Sequence, residues 1–283
     1  GHIHPREGHM SRRRMIRQAV RAMISVALFG AVGLFGAASV GAVPSGRSGV
    51  NHLIAVRGGT ADSLNWAGYA VTPGSGITAV SGTFTVPAAG EIPPGFSASW
   101  AGIGGYSTSD LIQAGVSENS AIAGTILGGG QYSAWYEILP ASETTISGCS
   151  GNVPSCTINP GDKVSVNISN AGGNTWDINL SDAGNWSWSK SLTYASSESS
   201  AEWIQEAPSL AVVQTIPAAV GNVSFGPTST FTEAGSTKTI ANGNPTLINE
   251  SPVGIVNLAT TSPLASDGQS FDVCVYAQSC AAP

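Results

Sequence analysis

From about residue 65 onward, short runs of alternating apolar and polar residues recur, each bounded by clusters of Gly, Pro, Asn and Ser. Val80-Ser-Gly-Thr-Phe-Thr-Val86, Lys163-Val-Ser-Val-Asn-Ile168 and Trp176-Asp-Ile-Asn-Leu180 follow the pattern, as do Val220-Gly-Asn-Val-Ser-Phe225 and Ser270-Phe-Asp-Val-Cys-Val-Tyr276. A period of two marks a strand with one face against a core. No apolar period of 3.6 persists for twelve residues, so the pattern predicts an all-β domain, a sandwich or a barrel. One stretch, Ser200-Ala-Glu-Trp-Ile-Gln-Glu-Ala-Pro208, reads as a strand stopped by a proline that cannot donate to a ladder. When extended, it puts Glu202, Ile204 and Glu206 on one face and Ala201, Trp203 and Gln205 on the other. A carboxylate beside Trp203, with no Lys or Arg in the stretch, has nothing local to hold its pKa down. Burial would raise that pKa and make Glu202 a candidate proton donor or acceptor.

The start of the chain reads differently. Ser11-Arg-Arg-Arg-Met-Ile-Arg17 precedes an almost uncharged apolar run from Ala22 to Val40 and the small residues Val40-Gly-Ala42. A basic head, an apolar middle and a small-residue end describe an export leader, and the arginine pair fits the twin-arginine pattern of a bacterial protein. The expected organisation is a leader and signal peptide over 1–42, a linker or short pro-segment over 43–61, and a folded domain over 62–283. Export would leave the domain extracellular, with no permanent membrane span, and as a monomer.

Removing the leader sharpens the charge balance. Five basic residues (Arg47, Arg57, Lys163, Lys190, Lys238) would remain against sixteen of the seventeen acids, a formal charge of −11. Such a surface repels phosphate backbones and argues against a nucleic-acid partner. Of the four histidines, His2, His4 and His9 leave with the leader and His52 falls in the linker. A folded domain without histidine runs neither a Ser-His-Asp nor a Cys-His mechanism and builds no histidine-ligated zinc site. Carboxylates, amides, hydroxyls or a lysine must then carry any chemistry, with no cofactor or metal expected. The cysteines form two close pairs, Cys149 with Cys156 and Cys274 with Cys280, which read as local disulfides in an exported protein, although three connectivities are formally open.

Four segments then stand out in order: Asn65-Trp-Ala-Gly68; Ser99-Trp-Ala-Gly-Ile-Gly-Gly105 with Asp110-Leu-Ile-Gln-Ala-Gly-Val116; Tyr132-Ser-Ala-Trp-Tyr-Glu-Ile138; and Ala201-Glu-Trp-Ile-Gln-Glu206. Together they resemble the glutamic peptidases, or eqolisins, over about Asn65 to Phe225, and the last 60 residues more loosely. The resemblance implies a concanavalin-like antiparallel β-sandwich of two packed multi-stranded sheets that cleaves polypeptides in acid. It implies a catalytic dyad at Gln113 and Glu202, and supporting or substrate-binding positions at Trp100, Trp135 and Glu137. Trp203, beside Glu202, is a further substrate-binding or supporting candidate, with a place in the core as the other reading. One departure is visible: fungal members carry an Asp where this chain has Gly104.

The residue types suit that chemistry. Glu202 as a carboxylate would take a proton from water and return it to the leaving nitrogen. The amide of Gln113 is a donor that holds an oxyanion without titrating. For that chemistry Gln113 and Glu202 are expected on adjacent strands facing one concavity, with the base form of Glu202 persisting at the working pH. Two other readings are open: a concanavalin-like glycoside hydrolase using Glu137 with Glu202, and a non-catalytic carbohydrate-binding module using exposed tryptophans.

Overall fold

The computed structural model describes residues 53–57, 59–123, 131–153, 155–210 and 213–283. The expected leader and most of the expected linker lie outside the described residues. The first strands are β1 (Leu53–Arg57), β2 (Thr60–Ser63), β3 (Trp66–Val71), β4 (Ile77–Thr85), β5 (Ala98–Gly104), β6 (Leu111–Glu118) and β7 (Tyr132–Ile138). Two short strands, β8 (Thr144–Thr145) and β9 (Ser150–Gly151), precede β10 (Lys163–Gly172), β11 (Thr175–Asp182), β12 (Trp186–Thr193) and β13 (Ala201–Glu206). A small hairpin of β14 (Ser209–Leu210) and β15 (Val213–Gln214) follows. The chain ends with β16 (Asn222–Phe225), β17 (Thr230–Glu233), β18 (Ser236–Thr239), β19 (Pro245–Glu250), β20 (Ala259–Thr261) and β21 (Phe271–Val275).

The five alternating runs singled out in the sequence all fall on strands: β4, β10, β11, β16 and β21. Part of the expected linker is also strand, since β1 and the start of β2 lie within it. β2 runs parallel to β19, pairing Ala61 with Ile248. The sequence of these two strands is too short to show alternation; the ladder to a strand nearly 190 positions later is what fixes them.

Two layers emerge from the pairings. The first runs β8-β7-β6-β5-β13-β3-β19-β2-β1. The second runs β18-β17-β4-β10-β11-β12-β9. β16, β20 and β21 join them along one side, through Phe225 opposite Phe84 on β4 and Ala259 opposite Glu250 on β19. Burial follows position. β10 and β11 are buried at alternate residues over most of their length, as expected of strands with one face in the core. By contrast β3, β5, β6 and β13 are buried at every residue. β13 sits between β3 and β5, at the middle of the first layer.

The inward face of that layer carries Tyr69, Val71, Ile103, Ile112, Val116 and Trp203, packed with Val80, Phe84, Val166, Ile168 and Leu180 of the second. Trp203 is central to this contact. Its indole N–H donates to the Ser81 carbonyl at 2.7 Å. A Cβ on Gly82 would come within 2.8 Å of its ring, so the absence of a side chain there makes room for the indole. This corrects the expectation for Trp203. Period two turns it away from Glu202 and into the core between the sheets, where it cannot meet a substrate held by Glu202. The two disulfides pair as expected, Cys149 with Cys156 and Cys274 with Cys280.

Trp203→Phe should therefore lower stability by about 1–3 kcal/mol, from lost volume and a part-buried carbonyl deprived of this donor. A urea titration followed by circular dichroism measures this. An unchanged midpoint would show that the indole does not tie the sheets together.

Candidate active site

The opposite face of the first layer holds the chemistry. Directly paired residues of antiparallel strands share a face, so the register defines cross-strand rows. One row reads Thr246, Ala70, Glu202, Gly102, Gln113 and Glu137 across β19, β3, β13, β5, β6 and β7. The next reads Ile248, Gly68, Ile204, Trp100, Gly115 and Trp135. A third holds Trp66, Glu206, Ala98 and Ser117. Gln113, Glu202, Glu137, Trp100 and Trp135 are thus brought to one face, and Trp203 is not.

Gln113 and Glu202 are not on adjacent strands, which corrects the expectation stated above. β5 lies between them, and the residue it places in their row is Gly102. Two strand spacings put the backbones roughly 10 Å apart. A Cβ on Gly102 would sit 3.1 Å from the Gln113 Cβ. Gly102 thus leaves the place between Gln113 and Glu202 in the row without a side chain of its own, and Leu111 Cδ1 approaches it at 3.1 Å. In the next row Gly115 does the same beside Trp100, where a Cβ would meet the Trp100 Cβ at 2.6 Å. Period two already put Trp100 and Gly102 on one face, so the spacer was readable from the sequence once the strand was known.

Each polar side chain has a defined setting. Gln113 is buried, and its Nε2 donates to Glu137 Oε2 at 2.6 Å. That bond fixes which way the amide points and leaves its second N–H to donate elsewhere. Glu202 is fully buried, and neither carboxylate oxygen has a well-formed hydrogen bond. Desolvation dominates and pushes its pKa well above the ordinary carboxylate value. The Ser200 hydroxyl pulls down, the charge of Asp110 pushes up, and the Tyr106 backbone N–H pulls down. Further along the face, Glu206 accepts from the Trp100 indole at 2.8 Å and from Asn65 Nδ2 at 3.1 Å. Trp100 meets Trp66 edge-on at 4.9 Å between ring centres. Glu250 is buried without a hydrogen bond, and desolvation, reinforced by Glu206, raises its pKa well above the usual range.

Sequence reasoning did not find Asp110, Asn65 or Glu250. Asp110 stood inside a quoted segment, but nothing in its spacing connected it with Glu202. Among the described residues no three of His, Cys, Asp and Glu come close enough to hold a metal ion. None of their helices is long and apolar enough to cross a membrane.

Raised carboxyl pKa values have a definite sign in stability. Glu202 and Glu250 hold protons more tightly folded than unfolded. Their contribution is complete below the unfolded value of about 4.3 and is lost as pH rises toward the folded values. Chemical-denaturation midpoints should therefore fall between pH 4.5 and neutrality, and Glu250→Gln should flatten that fall. A midpoint that climbs steadily from pH 4.5 to 7 in the parent protein would contradict this.

With this geometry in hand, comparison with known proteins is direct. No curated protein sequence matches the chain. Among solved structures, scytalido-glutamic peptidase with a transition state analog inhibitor superposes with a TM-score of 0.60 at 20% identity, covering 75% of this chain and 98% of that one. SCP-B, a member of the eqolisin family of peptidases in complex with the tripeptide Ala-Ile-His, gives a TM-score of 0.58 at 18% identity, covering 75% and 98%. These likenesses show a shared fold. The sequence profile of the Peptidase A4 family matches residues 64–270, which span β3 to the edge of β21 and every residue of the row from Glu202 to Glu137. The chain belongs to the Peptidase A4 family, the eqolisin glutamic peptidases.

Proposed function

We propose that this chain is a secreted endopeptidase of acid surroundings in which Glu202 and Gln113 are the catalytic pair. The observation that carries the reading is the single row Glu202–Gly102–Gln113–Glu137, which sets a carboxyl opposite an oriented amide across a position without a side chain. A scissile carbonyl seated over Gly102 meets both groups. Glu202 as carboxylate takes a proton from a water molecule whose oxygen adds to the carbonyl carbon. The free N–H of Gln113 donates to the oxyanion that forms, an interaction worth about 3 kcal/mol of barrier. Collapse of the intermediate breaks the C–N bond, and the Glu202 carboxyl passes its proton to the departing nitrogen. Glu137 holds the Gln113 amide in the donating orientation, while Trp100 and Trp135 supply apolar wall in the neighbouring row.

A carboxyl raised above its ordinary value by burial needs a higher pH to reach its base form. Its ionisation sets the acid limb of the profile, so the optimum lies in weak acid, where base strength and ionised fraction balance. The neutral limb reflects loss of the folded state as buried acids ionise. The disulfides suit an oxidising exterior, and secretion accords with the basic and apolar run ahead of the domain.

The glycoside-hydrolase reading gains nothing here. Glu137 and Glu202 are three strand spacings apart, roughly 14 Å between backbones, against about 5–9.5 Å between carboxyls in such enzymes. Gln113 lies between them and binds Glu137.

Purified protein incubated with denatured protein substrate across pH 2–7 tests the assignment. Glu202→Gln should abolish cleavage and Gln113→Ala should reduce it roughly a hundredfold, both remaining folded. Chelators, serine-directed reagents and thiol blockers should leave the rate unchanged. A folded Glu202→Gln protein that cleaves at the parent rate would end the reading.

A further inference from the structure

Asp110 lies in the turn that carries the chain from β5 into β6. Its Oδ2 accepts the backbone N–H of Ser197 at 2.6 Å and the Ser196 hydroxyl at 3.4 Å. Ser196 and Ser197 belong to the serine-rich segment that leads into β13, so one carboxylate joins the turn before Gln113 to the approach of Glu202. Hydroxyls reinforce the join. Thr108 Oγ1 accepts from the Gly105 N–H at 3.2 Å and lies 3.4 Å from Ser199 Oγ, which Ser197 Oγ meets at 2.9 Å. Gly104 N–H donates to the Ser200 carbonyl at 2.9 Å, locking the end of β5 to the residue two before Glu202.

Space for this carboxylate comes from Gly104. A Cβ at Gly104 would fall 3.0 Å from Asp110 Oδ2 and 2.6 Å from its carbonyl oxygen. Gly104 also has φ of +86°, a conformation that a side chain strains. The Asp110 carboxylate therefore fills what would be side-chain space of the β5 residue two places beyond Gly102. The turn is held by that one acidic group and its donors.

We propose that Asp110 is a positioning residue for Glu202, fixing the entry of β13 and presenting a like charge to the Glu202 carboxyl. This rests on the reading of Glu202 as the catalytic base. Burial works against the Asp110 charge, but the donors at Ser197, Thr108 and its own backbone outweigh it, so Asp110 stays ionised below its ordinary pKa. Its charge then adds to desolvation in strengthening Glu202 as a base. The other ionisable groups facing this pair are few. Glu137 stands beyond Gln113. Tyr194, whose hydroxyl accepts from Leu111 N–H and donates to the Leu139 carbonyl, has its pKa raised by burial and by Asp110. Lys163, Lys190 and Lys238 belong to β10, β12 and β18 of the other layer.

Two substitutions separate the electrostatic from the structural role. Asp110→Asn keeps an oxygen for the Ser197 N–H and removes the charge; Asp110→Ala removes both. Rates against pH on one peptide, with Glu202→Gln as control, and a carbon-13 titration of the Glu202 carboxyl read the outcome. Asp110→Asn should move the acid limb of kcat/KM, and the Glu202 titration, to lower pH by roughly 0.5–1 unit. Asp110→Ala should show the same shift and a kcat lower by about tenfold or more from lost positioning. An acid limb and a Glu202 titration both unmoved in Asp110→Asn overturn the proposal, as does a shift upward. If Asp110→Ala does not fold, Asp110→Asn and the titration decide alone. Should Glu202→Gln retain activity, the catalytic reading itself fails. An inactive Glu202→Gln with an unshifted Asp110→Asn defeats only the role of Asp110.

Discussion

Placing a carboxyl in the middle of a sheet, buried and without a well-formed hydrogen bond, costs several kcal/mol if it must stay charged. That cost is the constraint on which the rest depends. Glu202 meets it by favouring its protonated form, which makes it a stronger base when it does ionise. An ordinary exposed glutamate would be ionised in weak acid but would be a poorer acceptor for a proton from water. The same burial favours the folded state in acid, because Glu202 and Glu250 resist the charge that neutral solution imposes. In the proposed mechanism catalytic strength and pH range then have one physical origin.

Holding Glu202 opposite Gln113 is the second requirement, and glycines meet it. Side chains in one row of a sheet crowd their neighbours, so two large polar groups two strands apart need an empty place between them. Gly102 supplies it, Gly115 does so beside Trp100 in the next row, and Gly82 makes room on the other side of the sheet for Trp203. β13 is held from both faces: Trp203 anchors it to the second layer while Glu202 projects from the other side. The hydrogen bond from Gln113 to Glu137 removes the remaining freedom, the orientation of the amide.

How far this could be read from the sequence varies with the kind of question. Alternation located β4, β10, β11, β16 and β21, because a half-buried strand writes its period directly into the chain. It also put Glu202 and Glu206 on one face, which is a local property. The same rule turns Trp203 away from Glu202, so its place in the core was legible there too. Strand order is not local. β5 and β6 pair as neighbours in the chain, but that β13 docks on β5 rather than on β6 follows from a ladder between residues about 100 positions apart, and nothing in either strand encodes it. Asp110 was hidden for the same reason, since its partner Ser197 is 87 positions away. β1 and the start of β2 fall within the expected linker because the stretch to Ala61 is small, polar and glycine-bearing, and β2 is fixed by a parallel partner far along the chain.

A structure of the protein with a peptide-based transition-state analogue bound tests the central claim most directly. The account predicts the tetrahedral centre over Gly102, with one oxygen within about 3 Å of Gln113 Nε2 and the other within hydrogen-bond reach of the Glu202 carboxyl. An analogue bound on another face, or one whose tetrahedral oxygens reach neither Gln113 nor Glu202, would contradict it.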